Sequence, residues 1–280
     1  MNDPAGIPRA AFFDLDKTLI PGSSLFLLAR GMYERDIVRV RDLLRFGWGQ
    51  MMFRLRGEHA RGMDMSRQAT LEFVAGRRQS ELIEWGKEIA EERILPRVYE
   101  DIVRVIEGHR ERGDRTFLVT AAPIELAETI AQALGMTGSV ATVSEIDDDG
   151  YYTGRLVGAV MHGLEKAKAV AEMAAEHGID LTECAAYSDS INDLPLLESV
   201  GHPHAVNPEH ELRRIALTRG WPIHELRTRR RALLVGIPAG LGGATLFGGG
   251  IALGAWLERR RAAPSLRDRV HRVRTRLRLF

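Results

Sequence analysis

The sequence is short of cysteine, of metal-spaced histidine and of positive charge on its folded body. One cysteine, Cys184, rules out an internal disulfide framework and suits a reducing compartment. The nine histidines are scattered, and no H-E-x-x-H spacing occurs, which speaks against a zinc site. No self-similarity at solenoid periods is present. Met1 to Arg9 lacks the apolar core of a signal peptide. Thirteen arginines against three acidic residues follow Ile223, a surplus of about +10 beside a whole-chain net charge of +1. About −9 is therefore left for the rest, a balance that excludes a phosphate-neutralising, nucleic-acid-binding body.

What is present is enough for a packed core: 280 residues, 45% of them hydrophobic. A strand near Arg9 to Leu15 opens the pattern. From Ser23 to about Gly113 the chain reads as charged amphipathic helices, "LFLLARGMYERDIVRVRDLLRFGWGQMMFRL", "QSELIEWGKEIAEERI" and "VYEDIVRVIEGHRERG". After Gly113, short strands alternate with helices. "TFLVT", "ECAAYSD" and "HAVNP" read as strands. "PIELAETIAQALG", "LEKAKAVAEMAAEHG" and "EHELRRIALTRG" read as helices, and a hairpin turns at Asp149-Gly150. Such alternation predicts an α/β fold, a Rossmann-like parallel sheet with helices on both faces.

Ala232 to Leu257 carries no charge and is bracketed by two Arg triplets. About 20 apolar residues cross a bilayer core, so this run is long enough for one span. Beyond Pro264, Leu266, Val270, Val273 and Leu277 form the apolar stripe of a basic helix suited to anionic headgroups. The expectation is a cytoplasmic catalytic domain tethered by a segment that either spans the membrane or lies in it.

The chemistry is concentrated at strand ends. "FFDLDKT" places Asp14 and Asp16 two residues apart after an apolar strand, hence on one face. Like charges on one face are costly unless a cation or a reaction uses them. Thr120 ends "TFLVT", Lys166 opens a helix, and "SDSINDLPLL" supplies Asp189, Asn192 and Asp193. Such a set suits phosphoryl transfer. A carboxylate attacks phosphorus, a second carboxylate shuttles the proton, and Mg2+ takes hard oxygen ligands; a hydroxyl and an ammonium hold the phosphoryl oxygens. Lys168 competes with Lys166 for the last role, and the helix opening favours Lys166.

"DLDKT", "LVTAAP", "GLEKAKA" and "SDSINDLPLL" occur in the order of the haloacid dehalogenase superfamily. The chain resembles its subfamily IB, the phosphoserine-phosphatase-like branch, from Ala10 to about Trp221. The resemblance implies a phosphatase with Asp14 as nucleophile and Asp16 as acid/base. It implies Mg2+ on the Asp14 carboxylate, the Asp16 carbonyl and Asp189, with Asn192 and Asp193 on the metal side. Thr120 and Lys166 would bind the substrate phosphate. It also implies a catalytic core from 1–22 and 113–225 and a helical cap from 23–112; the basic flank and membrane segment at 226–257 and the Arg-rich tail at 258–280 are read from the residues themselves. The branch has a glutamate shortly after the first motif to meet a substrate ammonium. Here "IPGSS" follows, so a small phosphate ester or a lipid phosphate is expected rather than phosphoserine itself.

Overall fold

The structure is a computed structural model that describes residues 9–38 and 71–226. The chain divides into two units, Met1–Arg229 and Arg230–Phe280, and the second lies outside the described residues. The uncharged run 232–257 and the tail 258–280 lie there too. Among the described residues no helix is long and apolar enough to cross a membrane.

Strand β1 (Ala10–Phe13) is followed by helix α1 (Ser24–Glu34). The chain is next described at residue 71. Helix α2 (Gln79–Ile89) runs on through a π-helical turn, Ala90–Ile94, and a 3-10 turn, Leu95–Arg97, into α3 (Glu100–Glu111). Then come β2 (Arg115–Pro123), α4 (Ile124–Ala133), β3 (Gly138–Ile146) and β4 (Tyr152–Val157). The last part comprises α5 (Leu164–Glu176), β5 (Ala185–Ser188), α6 (Leu194–Ser199), β6 (His202–Val206), α7 (His210–Arg219) and β7 (Ile223–His224). The described strands form one sheet in the order β4-β3-β2-β1-β5-β6-β7. All neighbours are parallel except the β3–β4 hairpin.

The period of two along each strand divides the core between the two faces of the sheet. Ala11, Phe13, Leu118, Ala185 and Tyr187 pack on one side with Ile102 and Ile106 of α3, Leu126 and Ile130 of α4, and Leu27, Leu28 and Met32 of α1. Ala10, Phe12, Phe117, Val119 and Ala186 pack on the other with Ala167 and Val170 of α5, Leu196 of α6, and Leu212 of α7. Helices thus cover both faces of a mostly parallel sheet. Of the stretch expected as a cap, α1 and α2 meet where a Cβ on Gly31 would lie 2.7 Å from the Ile89 side chain. Helix α3, also within 23–112, packs on the sheet itself, and residues 39–70 lie outside the described residues.

Two elements have no sequence signal. Strand β7 has only two residues, too few for an alternation, and α6 begins directly behind the acidic motif with Pro195 in its first turn. The loop before β6 is fixed by close approach: a Cβ on Gly201 would lie 1.7 Å from the Thr182 carbonyl oxygen. Because backbone would have to move, Gly201→Ala is expected to lower stability by about 1–3 kcal/mol. A thermal melt against the wild type checks this, and an unchanged midpoint would contradict it.

Candidate active site

The carboxyl ends of β1, β2 and β5 carry the polar residues, as expected for open α/β sheets. Asp14 stands one residue beyond β1, and its N–H donates to the Tyr187 carbonyl at 2.9 Å, which continues the ladder with β5. Its parity matches Ala10 and Phe12, so its carboxylate leaves the sheet on the side covered by α5.

Lys166, in the first turn of α5, meets it there. Its Nζ donates to Asp14 Oδ1 at 2.5 Å and to Asp193 Oδ2 at 2.9 Å. Asp14, Lys166 and Asp193 are 6%, 3% and 2% exposed, so the triad is held away from water. Ser188 Oγ–H donates to the same Asp193 oxygen at 2.7 Å. Gly163 caps α5 at φ 57°, and a Cβ there would stand 3.5 Å from the Asn192 carbonyl; the helix opening therefore lies against the acidic loop. Lys168 points elsewhere: its Nζ pairs with Glu165 at 2.7 Å on an exposed surface.

Burial dominates the electrostatics. It pushes the Asp14 carboxyl up to about 7, against the lowering pull of Lys166 and with the repulsion of Asp193 and Asp16 added. Burial works to lower the Lys166 ammonium, yet the Asp14 and Asp193 carboxylates outweigh it and hold the group above its ordinary value. Asp189, just beyond β5 and 4% exposed, is pushed up to about 6 by burial, with Lys17 opposing.

Asp16 takes a different partner from Asp14. Its Oδ1 accepts the Ser24 N–H at 2.7 Å, at the N-terminus of α1, where a carboxylate is favoured. The turn between them is tight: Leu19 and Ile20 both donate to the Leu15 carbonyl, and Lys17 sits at φ 60°. Thr120 is buried within β2, at the irregularity after Val119 where the register with β3 shifts, and its Oγ1 accepts the Ala122 N–H at 3.2 Å. Asn192 is exposed, and its side-chain amide donates to Ser190 Oγ at 3.2 Å rather than to a carboxylate.

Sequence reasoning missed three participants. Ser188 could have been found, since it has the parity of Ala186 and so faces α5. The Ser24 amide and the Lys17 ammonium, 3.6 Å from Asp189 Oδ2, depend on a loop conformation that no periodicity encodes.

Among the described residues no group of three or more His, Cys, Asp and Glu side chains is arranged as a metal cluster. The charge balance nevertheless fits a divalent cation. Among the described residues the lysine partners of Asp14, Asp16, Asp189 and Asp193 are Lys166 and the exposed Lys17, so four carboxylates meet two ammonium groups. Two of these carboxyls are raised by burial, so compensation by protein is incomplete. Hard oxygen donors at a buried edge suit Mg2+.

A mostly parallel sheet covered by helices on both faces, with acidic residues and one buried lysine gathered at its carboxyl edge, defines a Rossmann-like α/β core with a polar site. Residues 11–198 match the haloacid dehalogenase-like hydrolase family, and the chain belongs to that family. It is 41% identical over 260 residues to a protein named phosphoserine phosphatase SerB1 from Mycobacterium tuberculosis (strain ATCC 25618 / H37Rv), covering 92% of this chain and 83% of that one. It is 28% identical over 221 residues to a histidinol-phosphatase from Neisseria meningitidis serogroup C (strain 8013), covering 76% and 96%. A solved structure of a protein of unknown function from Bordetella pertussis Tohama I superposes with a TM-score of 0.70 at 33% identity, covering 79% of this chain and 99% of that chain.

Proposed function

We propose that the chain is a Mg2+-dependent phosphomonoesterase that works through an aspartyl-phosphate on Asp14. The observation that carries this reading is the buried Lys166 ammonium bridging Asp14 and Asp193 at the sheet edge. The names of the phosphoserine phosphatase and histidinol-phosphatase relatives support the same class.

In this reading the ionised Asp14 attacks phosphorus, the bond to the leaving oxygen breaks, and Asp16 supplies the proton that the alcohol carries away. Asp16 then takes a proton from water, which attacks the acyl-phosphate and regenerates Asp14. Lys166 and Thr120 hold the phosphoryl oxygens where charge spreads in the transition state. The Asp14 carboxylate, the Asp16 carbonyl and Asp189 would hold the metal, with Asp193 and Asn192 on its side. The bound cation would offset the site's excess negative charge and draw charge off the phosphoryl oxygens. Residues 1–22 and 113–225 serve as core together with α3, which packs on the sheet, and the rest of 23–112 serves as the helical cap that shields the cleft.

The substrate in this reading is a small phosphate ester. The uncharged run 232–257 favours a second reading, a lipid phosphate met at a membrane to which the tail tethers the enzyme. Stopping the chain near Arg227 should then move an active phosphatase from the membrane fraction to the cytosolic one. A full-length chain that washes into the cytosolic fraction at low salt would contradict the tether. The reaction class itself is tested with p-nitrophenyl phosphate, with and without magnesium. Turnover that magnesium does not change would defeat the proposal.

Magnesium should also stabilise the fold in a pH-dependent way. Raised folded-state values mean that the metal-free protein holds extra protons on Asp189 and Asp14 up to about pH 6 and 7. The stability tied to those protons is present at low pH and falls as pH rises through the two values. A cation takes the ionised carboxylates, so its stabilising effect grows over the same window. His204, lowered to about 4 by burial and by His224, contributes the opposite slope but does so with and without metal. The melting-point gain from magnesium over chelator is therefore expected to increase from pH 5 to pH 8, and a flat or falling gain would be inconsistent with these ligands.

A further inference from the structure

Lys17 is a charged residue of the site that the chemistry above leaves unused. Its backbone is pinned from three sides. It adopts a left-handed φ of 60°, its N–H donates to the Gly22 carbonyl at 3.1 Å, and its own carbonyl accepts the Asn207 side-chain amide at 3.3 Å. Its head group, by contrast, reaches solvent. The side chain is 63% exposed, and its Nζ stands 3.6 Å from Asp189 Oδ2. Among the described residues no other cationic side chain pairs with Asp189, whose further charged neighbours, Asp193 and Glu209, both repel it.

We propose that Lys17 is a tethered counter-cation for Asp189 that exchanges with the divalent metal and thereby sets the metal's affinity. This rests on the reading of Asp189 as a magnesium ligand. An ammonium and a metal ion on one carboxylate repel each other, so metal binding is opposed while the exposed ammonium stays and is eased as it leaves, unlike the buried Lys166 beside Asp14. Leaving is easy for this group: lysine is a hydrated point charge on a flexible stem, and water already reaches it. The pinned backbone keeps the released head close enough to return. Lys17 therefore weakens metal binding while it keeps Asp189 partnered in the metal-free protein.

The test is calorimetric titration of the full-length protein with magnesium chloride alone, with no substrate present. Lys17→Asn removes the charge, and asparagine tolerates the left-handed backbone. Its magnesium Kd is expected to be about three- to tenfold tighter than wild type, the range for a partly exposed ion pair. Lys17→Gly, which takes that φ without strain, should tighten the Kd equally, whereas Lys17→Arg should stay within about twofold of wild type. The metal-free Lys17→Asn protein should melt lower than wild type and gain more on adding magnesium. An unchanged or weaker Kd in Lys17→Asn and Lys17→Gly would overturn the inference, as would equal tightening in Lys17→Arg. If all three variants bind magnesium like the wild type, the metal reading stands and only Lys17's role falls. If the wild type binds no magnesium, the metal reading fails and takes this inference with it.

Discussion

Asp14→Asn should reduce turnover at least about a thousandfold while leaving the fold in place. The amide has the shape of the carboxylate but neither attacks phosphorus nor takes a hard cation. Stability should change little, because two contributions oppose each other. The Lys166 ammonium loses one of its two charged acceptors but keeps Asp193 at 2.9 Å. At the same time a carboxyl that burial raises to about 7 is replaced by a group with no charge to desolvate. A melting curve and a steady-state assay on one preparation check both halves. Activity above a few per cent of wild type would contradict the nucleophile assignment.

Lys166→Met should be damaging in a second way, because here stability falls along with activity. Removing the ammonium leaves Asp14 and Asp193 facing each other in a site less than one tenth exposed. Breaking a buried pair by taking away one partner costs about 3–5 kcal/mol. Without the lowering pull of Lys166 the Asp14 carboxyl would be held further above its unfolded value by burial, so the stability it contributes is present in acid and lost as pH rises. The variant should therefore melt closest to wild type near pH 5 and furthest below it near pH 8. Turnover should fall by about a hundredfold or more, since a donor to the phosphoryl oxygens is gone. Lys166→Arg should not restore it, because a planar guanidinium does not fit a pocket that holds a compact ammonium. A variant that is fully stable at pH 8 would mean that the bridge is not the compensating charge.

The parts of this site that were legible in the sequence are those that follow from period and order. Asp14 was readable because an apolar strand ends at it. The order of the motifs led to the expectation that Lys166, 152 residues away, converges on the same edge; its direct ion pair with Asp14 was not expected. Lys166 was separable from Lys168 because residues two apart on a helix lie on different faces and the helix opening favours Lys166, and the structure places one in the core and the other on the surface. What was not legible depends on loops. Asp16 shares the strand parity of Asp14, yet a tight turn with Lys17 at positive φ delivers its carboxylate to the N-terminus of α1. The 3-10 turn at Ile191–Asp193, which no periodicity encodes, buries Asp193 and leaves the Asn192 side-chain amide on Ser190 Oγ. Helix α3 reads in sequence like the helices before it, and only its burial against Phe13 and Leu118 sets it on the sheet.

The central claim is that Asp14 carries the phosphoryl group between the two half-reactions. Acid quenching of the magnesium-loaded enzyme during steady-state turnover, followed by peptide mass spectrometry, addresses it directly. With p-nitrophenyl phosphate, whose leaving group departs without a proton, the expected result is a phosphoryl adduct on the peptide that contains Asp14, absent in Asp14→Asn and increased in Asp16→Asn, where hydrolysis lacks its base. Rapid turnover with no adduct, or an adduct on any other residue, would contradict the mechanism.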